Sequence, residues 1–175
     1  MKVFGDYSTF AICYELDSNY GGAWLFGKFC YWIGGLQVGD YELGTSLRDV
    51  LMFLERVFKD NGCRENQELF ELSALEFHNR LFNTLYTGYT GEDTGYEDMA
   101  TQECWACLEI DIPLDIFDGW KIFMVEHNQK SRIVYKRVSD DESLSELYLP
   151  SKAVEKVISD AYTDLSKVYQ QEINK

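Results

Sequence analysis

The sequence lacks any long apolar run. No window of its 175 residues approaches the roughly 20 apolar residues that a membrane-spanning helix needs, so we expect no transmembrane segment. The first ten residues, MKVFGDYSTF, have no continuous apolar stretch after the lysine, which a cleaved secretion signal would require. We therefore expect a cytoplasmic protein without a membrane partner.

Residues for acid–base chemistry are also scarce. The sequence has two histidines, His78 and His127, and no phosphate-binding glycine loop, HExxH, GxSxG or EF-hand spacing. His78 falls on the apolar stripe of a predicted helix, which favours a core position. His127 ends a predicted strand, which favours a role in a turn. We therefore predict that the protein is not an enzyme and needs no cofactor.

A cysteine framework for disulfides or zinc is missing as well. The five cysteines are Cys13, Cys30, Cys63, Cys104 and Cys107. Their odd number and irregular spacing are typical of reduced thiols. The sequence CWAC at 104–107 has the spacing of half a zinc site, but no second pair of Cys or His completes it. We predict buried structural cysteines and no metal site, with zinc or redox chemistry as the alternative.

Basic residues are nearly absent from the middle of the chain. The whole sequence has 16 basic and 30 acidic residues, a formal net charge of −14. From Glu65 to Asp118, thirteen acidic residues stand against the single Arg80, so this acidic middle third carries −12 of that charge. Such a surface repels nucleic acid and anionic membranes and accelerates encounter with basic partners. Solubility alone is the alternative explanation.

Apolar and aromatic residues are plentiful, and their pattern predicts one domain over residues 1–175. They make up 46% and 15% of the chain, enough for a packed core. Strands are predicted at TFAICYELD, AWLFGKFCYWI, LQVGDYEL, CWACLEIDI, GWKIFMVEH and SRIVYKRV. The second run is apolar on both faces, which is typical of a central strand, and Gly34-Gly35 after it predicts a tight hairpin.

Three segments repeat apolar residues at intervals of three and four, which predicts helices. The first runs from Leu47 to Phe58 and is capped by Thr45 or Ser46. The second starts at Ser73, which has capping-box spacing to Glu76, and ends near residue 86. The third follows Pro150. The order β-β-β-α-α-β-β-β-α predicts an α+β fold in which helices pack against an antiparallel sheet.

The amino-terminal third resembles a known family. The stretch YGGAWLFGKFCYWIGGLQVGDYELGTSLRDVLMFLERVFKDNG and the earlier FGD at 4–6 are similar to bacterial immunity proteins of polymorphic toxin systems, in particular immunity protein family 42. The likeness covers residues 1–66, and the later strands and the last helix follow the family only in their order. It implies a protein that binds and neutralises a toxin encoded beside it, in the cytoplasm, as in contact-dependent growth inhibition. The family's recurrent glycines and tryptophans, which look like fold determinants, are here Gly22, Trp24, Trp32, Gly35 and Gly39.

An acidic loop is predicted at 87–103, TGYTGEDTGYEDMATQE, where apolar periodicity is absent. Its glycines let the backbone conform to a surface, while its carboxylates and tyrosines suit a basic partner. Many delivered toxins of the resembled systems are nucleases with basic clefts, so we expect a one-to-one complex with a basic cognate toxin domain. The predicted toxin-binding residues are Tyr89, Glu92, Asp93, Tyr96, Glu97 and Asp98. A solvated loop without a partner is the alternative.

Two other classes of function stay open. A metal-dependent hydrolase would use dispersed carboxylates such as Glu109, Asp111 and Asp115. A protein-interaction adaptor unrelated to toxins would have the same shape. Titration with a divalent metal distinguishes the hydrolase from an immunity protein and from an adaptor.

Overall fold

The protein contains two antiparallel sheets and four α-helices within its described residues. The computed structural model describes residues 1–87, 104–139 and 143–175. The larger sheet comprises β1 (Lys2–Gly5), β2 (Phe10–Leu16), β3 (Phe26–Ile33), β4 (Leu36–Val38) and β5 (Thr45–Ser46), and the smaller comprises β6 (Trp120–His127), β7 (Lys130–Arg137) and β8 (Ser145–Pro150). The helices are α1 (Leu47–Lys59), α2 (Gln67–Glu71), α3 (Ala74–Phe82) and α4 (Ala153–Ile173). The predicted α+β class is confirmed.

The segment 104–112, predicted as a strand, is mostly helical, and that prediction is wrong. Cys104 and Trp105 are helical, Ala106–Leu108 form a 3-10 turn, and Glu109 makes a single bridge to Phe123. Trp105 and Leu108 are buried in the same apolar cluster. Residues three apart share a side in a helical turn but not in a strand. The joint burial of Trp105 and Leu108 therefore explains why this segment forms a helical turn. Three strands were not predicted: β1 and β8 lie at sheet edges, and the two-residue β5 pairs with the beginning of β3.

Strands β2 and β3 form the centre of the larger sheet, and their side chains alternate between its two faces. Their register pairs Cys13 with Cys30 and Tyr14 with Phe29. The inner face contributes Phe10, Ile12, Tyr14, Phe29, Tyr31 and Ile33 to the main core. The predicted hairpin turn at Gly34-Gly35 is confirmed, with φ of 60° and 86°, angles that glycine adopts without strain.

Helices α1 and α4 cover this inner face. The Ser46 hydroxyl caps α1 by accepting the N–H of Asp49 at 3.3 Å. The buried residues of the two helices are Leu47, Val50, Leu51, Leu54 and Val57 in α1 and Val154, Glu155, Ile158, Ala161 and Leu165 in α4. The predicted apolar faces of both helices are therefore confirmed. No helix among the described residues is long and apolar enough to cross a membrane.

Strands β6 and β7 of the smaller sheet are buried on both faces. Alternate residues of β6 join two clusters: Ile122 and Met124 enter the main core, while Phe123 and Val125 pack against α3. A strand that is covered on both faces needs apolar side chains on both of them. This requirement explains the continuous apolar run in β6.

The capping box predicted for α3 is present, and two residues connect β6 with β7 in a tight turn. Ser73 and Glu76 form the reciprocal capping box at the start of α3. Asn128 and Gln129 connect β6 and β7 with φ of 49° and 62°, the geometry of a tight hairpin turn. Both signals act within a few residues, so they do not depend on distant parts of the chain.

Arg64, between α1 and α2, is fully buried. Its guanidinium donates hydrogen bonds to the carbonyl oxygens of Val57 at 2.9 Å and Cys107 at 2.8 Å, and to Asn61 Oδ1 at 3.3 Å. The Glu155 carboxylate lies 3.8 Å from Nη1. Burial lowers the pKa of Arg64, but a guanidinium stays charged in proteins. The side chain therefore ties α1, α4 and the segment before β6 together.

We expect Arg64→Met to lower the free energy of unfolding by about 3–5 kcal/mol, because the buried acceptors lose their donor while the volume is retained. Denaturant unfolding followed by circular dichroism measures this change. The matched control is Lys59→Met, which removes a charge from an exposed pair with Glu55 and should cost less than about 0.5 kcal/mol. Equal losses in the two variants would contradict the linking role of Arg64.

Candidate functional site

The predicted toxin-binding residues lie outside the described part of the chain. They are Tyr89, Glu92, Asp93, Tyr96, Glu97 and Asp98, all within the interval 88–103. The described chain stops at Thr87 and resumes at Cys104. The assignment of this acidic loop therefore stays a prediction, and the described residues on either side provide its structural setting.

The residues before the acidic loop are held against the beginning of β6. Helix α3 continues as a π-helical turn, Asn83–Thr87. Within it the Tyr86 ring packs on Phe82, with ring centroids 5.3 Å apart. The Tyr86 hydroxyl accepts a hydrogen bond from Lys121 Nζ at 2.6 Å. The described segment that precedes the loop is therefore held beside Lys121.

Lys121 also joins two carboxylates of the acidic middle third. Its Nζ lies 3.2 Å from Glu109 Oε1 and 3.3 Å from Asp111 Oδ2. Asp111 Oδ1 accepts the N–H of Ile122 at 3.1 Å. Burial raises the pKa of both carboxyl groups, and the ammonium group of Lys121 opposes that rise. The cation that these carboxylates need is therefore supplied by the chain itself.

Asp115, the third carboxylate of the alternative hydrolase site, does not join this cluster. It is exposed and lines a separate cleft. Among residues 1–87, 104–139 and 143–175, no group of three or more His, Cys, Asp or Glu could hold a metal ion. The described structure thus brings together two of the three proposed hydrolase residues, and a lysine occupies the position between them.

The cysteines of the CWAC sequence make local contacts. Cys107 Sγ lies 3.2 Å from the Cys104 carbonyl oxygen and 3.3 Å from that of Cys63. Burial raises the pKa of Cys107 to about 11, whereas a reactive thiol needs a lowered pKa. Cys104 is exposed and Cys107 is half-buried, so the prediction that the CWAC cysteines are buried is wrong for Cys104.

The two histidines also lie where the sequence placed them. His78 is buried on α3 and stacks on Phe82, with ring centroids 5.9 Å apart. Burial lowers its pKa, so the ring is neutral at pH 7. His127 ends β6, and its Nδ1 lies 2.9 Å from Glu65 Oε1. Neither ring lies beside a described nucleophile.

A cleft of about 530 Å³ separates the β4–β5 connection from the beginning of β6. Its polar wall consists of Asp40, Asp115, Asp118 and Arg137, with Gln37 and Trp120 beside them. The N–H of Asp40 donates to the Ile116 carbonyl at 2.6 Å, which holds the two walls together. The Arg137 guanidinium stacks over Trp120 at 5.4 Å. The cleft is thus a preformed acidic depression with one cation at its edge.

The acidic middle third is continuous in sequence but divided in space. Glu65 bridges to Glu126 and lies beside His127, at one end of β6. Asp118 lies two residues before β6 begins, at the other end. The eight residues of β6 place its two ends about 23 Å apart. A single partner contact would therefore reach one of these acidic groups more readily than both.

Trp24 and Phe26 form an exposed aromatic pair that the sequence analysis missed. Their rings stack in parallel with centroids 6.1 Å apart, and the Arg48 guanidinium lies 3.8 Å from the Trp24 ring. Trp24 is 50% exposed and Phe26 43%, and neither belongs to a core cluster. The strand predicted from residue 23 begins only at Phe26, because Gly22–Trp24 form a 3-10 turn. Both side chains therefore lie on the surface at the beginning of β3.

Comparison with known proteins gave a family match and a structural match. The family model described as immunity protein 42 matches residues 1–164. The fold is similar to the crystal structure of CdiI from Burkholderia dolosa AUO158, with a TM-score of 0.74 and 22% identity over 93% of this chain and 99% of that chain. At this identity the likeness shows a shared fold. No curated protein matches the chain.

We expect Lys121→Met to lower the free energy of unfolding by about 3 kcal/mol at neutral pH, because Glu109 and Asp111 lose their shared cation. Because the pKa values of Glu109 and Asp111 are raised in the native state, the native state binds protons more tightly than the unfolded chain. Stability therefore falls as pH rises. The loss should therefore be smaller near pH 5, about one unit above the ordinary carboxyl pKa. Denaturant unfolding across this pH range provides the measurement.

The control for this variant is Lys156→Met, which affects an exposed pair with Asp160 and should change stability by less than about 0.5 kcal/mol at either pH. A loss for Lys121→Met that is independent of pH would show that the carboxylates do not act as a buried pair. Recovery on addition of magnesium would favour the hydrolase alternative instead.

Proposed function

The chain belongs to the immunity protein 42 family and is a toxin-neutralising immunity protein, and we propose that it acts by binding its cognate toxin domain in a one-to-one complex in the cytoplasm. The observation that carries this proposal is the family match over residues 1–164. It extends well beyond the amino-terminal third whose motifs first indicated the family. Inhibition by direct binding needs no catalytic group in the immunity protein.

The distribution of charge supports a basic partner. The net charge of −14 produces a field that attracts a basic domain and repels nucleic acid. A nuclease toxin suits this field, since a cleft that holds phosphates must be basic. Attraction between opposite patches can raise association rate constants to roughly 10⁸ M⁻¹s⁻¹ at low salt. Fast association favours capture of the toxin before it reaches its substrate.

We assign part of this contact to the acidic loop. Its proposed toxin-binding residues are Tyr89, Glu92, Asp93, Tyr96, Glu97 and Asp98. The carboxylates would steer and pair with basic side chains, and the tyrosines would serve as anchors of the kind enriched at hot spots. The contact of Tyr86 with Lys121 supports this role, because it fixes the described segment that precedes the loop in sequence.

The complex itself is tested with the toxic domain of the protein encoded next to this chain's gene. Analytical ultracentrifugation should show a species with the mass of one copy of each protein. Cells that express the toxin should survive only when this chain is co-expressed. Survival without any physical complex would refute direct neutralisation, and a complex without protection would refute the function.

We expect the quadruple variant Glu92→Gln, Asp93→Asn, Glu97→Gln, Asp98→Asn to slow association with that toxin domain by about tenfold or more at low salt. The difference from wild type should shrink as salt rises, because screening weakens attraction between charges. Stopped-flow fluorescence at several ionic strengths measures both effects.

The matched comparison uses two charges on each side: Glu92→Gln with Asp93→Asn in the loop, and Glu55→Gln with Asp160→Asn on α1 and α4. The second of these variants should associate at a rate close to that of wild type. The role of the loop is contradicted if the quadruple variant associates at the wild-type rate at low salt.

A further inference from the structure

The face of the larger sheet opposite the main core carries no described helix. By register, this outer face presents Val3, Ala11, Cys13, Glu15, Phe26, Lys28, Cys30, Trp32 and Gln37. None of these side chains belongs to either hydrophobic core cluster, whereas α1 and α4 supply residues to the main core on the opposite side. Within the described residues, the outer face is therefore an unpartnered sheet face.

The centre of the outer face is covered by a single layer of aromatic side chains. Cys13 and Cys30 lie directly opposite each other on β2 and β3, and both are almost fully buried. The rings of Tyr7 and Trp32 pack edge to face above this region, with centroids 4.9 Å apart. A hydrogen bond between the side chains of Tyr7 and Cys13 raises the pKa of Tyr7, which places the tyrosine over the thiols.

Tyr41 extends this aromatic layer toward β2. Its hydroxyl donates to Glu15 Oε2 at 3.1 Å, and its ring lies 5.5 Å from Lys28 Nζ. Tyr7 remains 39% exposed, and Trp32 and Tyr41 are half-buried. Tyr and Trp are the residues most enriched at binding hot spots, since each offers a large rigid surface with a polar tip.

The Trp24–Phe26 pair continues the outer face at the other end of β3, and it is held in place before any partner arrives. Leu25 adopts a left-handed conformation, φ 52°, which is costly for a residue with a side chain. This conformation buries Leu25 completely while Trp24 points outward. The Ser46 hydroxyl donates to the Trp24 carbonyl at 3.0 Å. A preorganised aromatic anchor loses little entropy on binding.

Carboxylates border the aromatic centre. Gln37 lies on the outer face and also lines the acidic cleft, so the cleft with Asp40, Asp115 and Asp118 adjoins the sheet. Glu15 and Glu42 complete a rim of five carboxylates. The positive groups nearby are Lys28, which pairs with Glu42, and Arg137, which stacks on Trp120. Arg48 lies over Trp24 and pairs with Asp49, and the amino terminus lies 3.8 Å from Glu15. No described residue pairs with Asp115 or Asp118, so the rim has an acidic excess.

The outer face has dimensions suited to the centre of a protein interface. From Phe26 to Trp32 the face is about 20 Å long, and four strands give it a width of about 14 Å. Stable interfaces combine a central patch of aromatic anchors with a polar rim that excludes water, and bury about 800 Å² on each partner. The outer face supplies such a centre, and the cleft supplies part of such a rim.

We propose that the outer face of the larger sheet is the docking surface for a basic toxin domain, with Tyr7, Trp32 and Trp24 as anchors and the cleft carboxylates as its charged rim. This inference rests on the proposed function, which supplies the partner, and on charge complementarity, which gives that partner its sign. In this proposal the acidic middle third attracts the toxin domain at long range, and the aromatic side chains of the outer face contact it at short range.

The test measures binding of the toxin domain encoded beside this chain to single-site variants by surface plasmon resonance. Tyr7→Ala and Trp24→Ala should each raise the dissociation rate by about tenfold or more, as loss of a hot-spot residue does. The matched control is Tyr148→Ala, an equally exposed tyrosine on β8 of the smaller sheet, which should change the rate by less than about twofold.

The rim is tested with Asp115→Lys, Asp118→Lys in one chain, which should slow association by about tenfold or more at low salt. Both positions are exposed and have no described pair, so this variant keeps the fold even if an aromatic variant does not. The control Glu55→Lys, Asp160→Lys also reverses two charges, on α1 and α4 and outside the acidic middle third, and should associate at nearly the wild-type rate.

Three outcomes decide the proposal. If wild type binds and all outer-face variants with wild-type thermal unfolding bind like wild type, the docking surface lies elsewhere and the immunity function stands. If Tyr7→Ala abolishes a homodimer without affecting the toxin complex, a second copy of the chain occupies the face and the proposal is overturned. If wild type itself does not bind the toxin, both the proposed function and this inference fail.

Discussion

The apolar layer on the inner face of the larger sheet determines the position of the other parts of the structure. The inner side chains of β2 and β3, the buried stripes of α1 and α4, and one face of the smaller sheet all meet in it. Because successive strand residues point to opposite faces, the same alternation that fills this core directs Cys13, Cys30 and Trp32 outward. The outer face is therefore a direct consequence of how the core is built.

Buried charges and exposed charges have different roles in this protein. Arg64 and Lys121 are paired with carboxylates inside the fold, so they hold segments together. The exposed carboxylates lie at both ends of β6, and they can attract a basic domain over a Debye length of roughly 8–10 Å. Close contact then depends on aromatic side chains, whose contribution is short-ranged and survives high salt.

Several elements could be predicted because the signal that specifies them lies within a few residues. The capping box at Ser73, the Gly34-Gly35 hairpin and the apolar face of α4 are examples, and all three are present. The strand predicted at 104–112 was wrong because Trp105 and Leu108 bury together against α3, a contact that no local pattern encodes. Strands β1 and β8 were missed for a related reason, since edge strands gain their structure from the neighbour that they pair with.

By itself, the sequence determined the class of fold, the family resemblance and the excess of acidic charge, since each depends on composition or on local repeats. Tertiary structure alone decided which face of β3 would be covered, where the acidic residues would lie, and which carboxylates would meet a lysine. Glu109 and Asp111 meet Lys121, but Asp115 does not. The reason is physical: periodicity tells which side chains share a face, whereas only packing between distant segments tells what that face contacts.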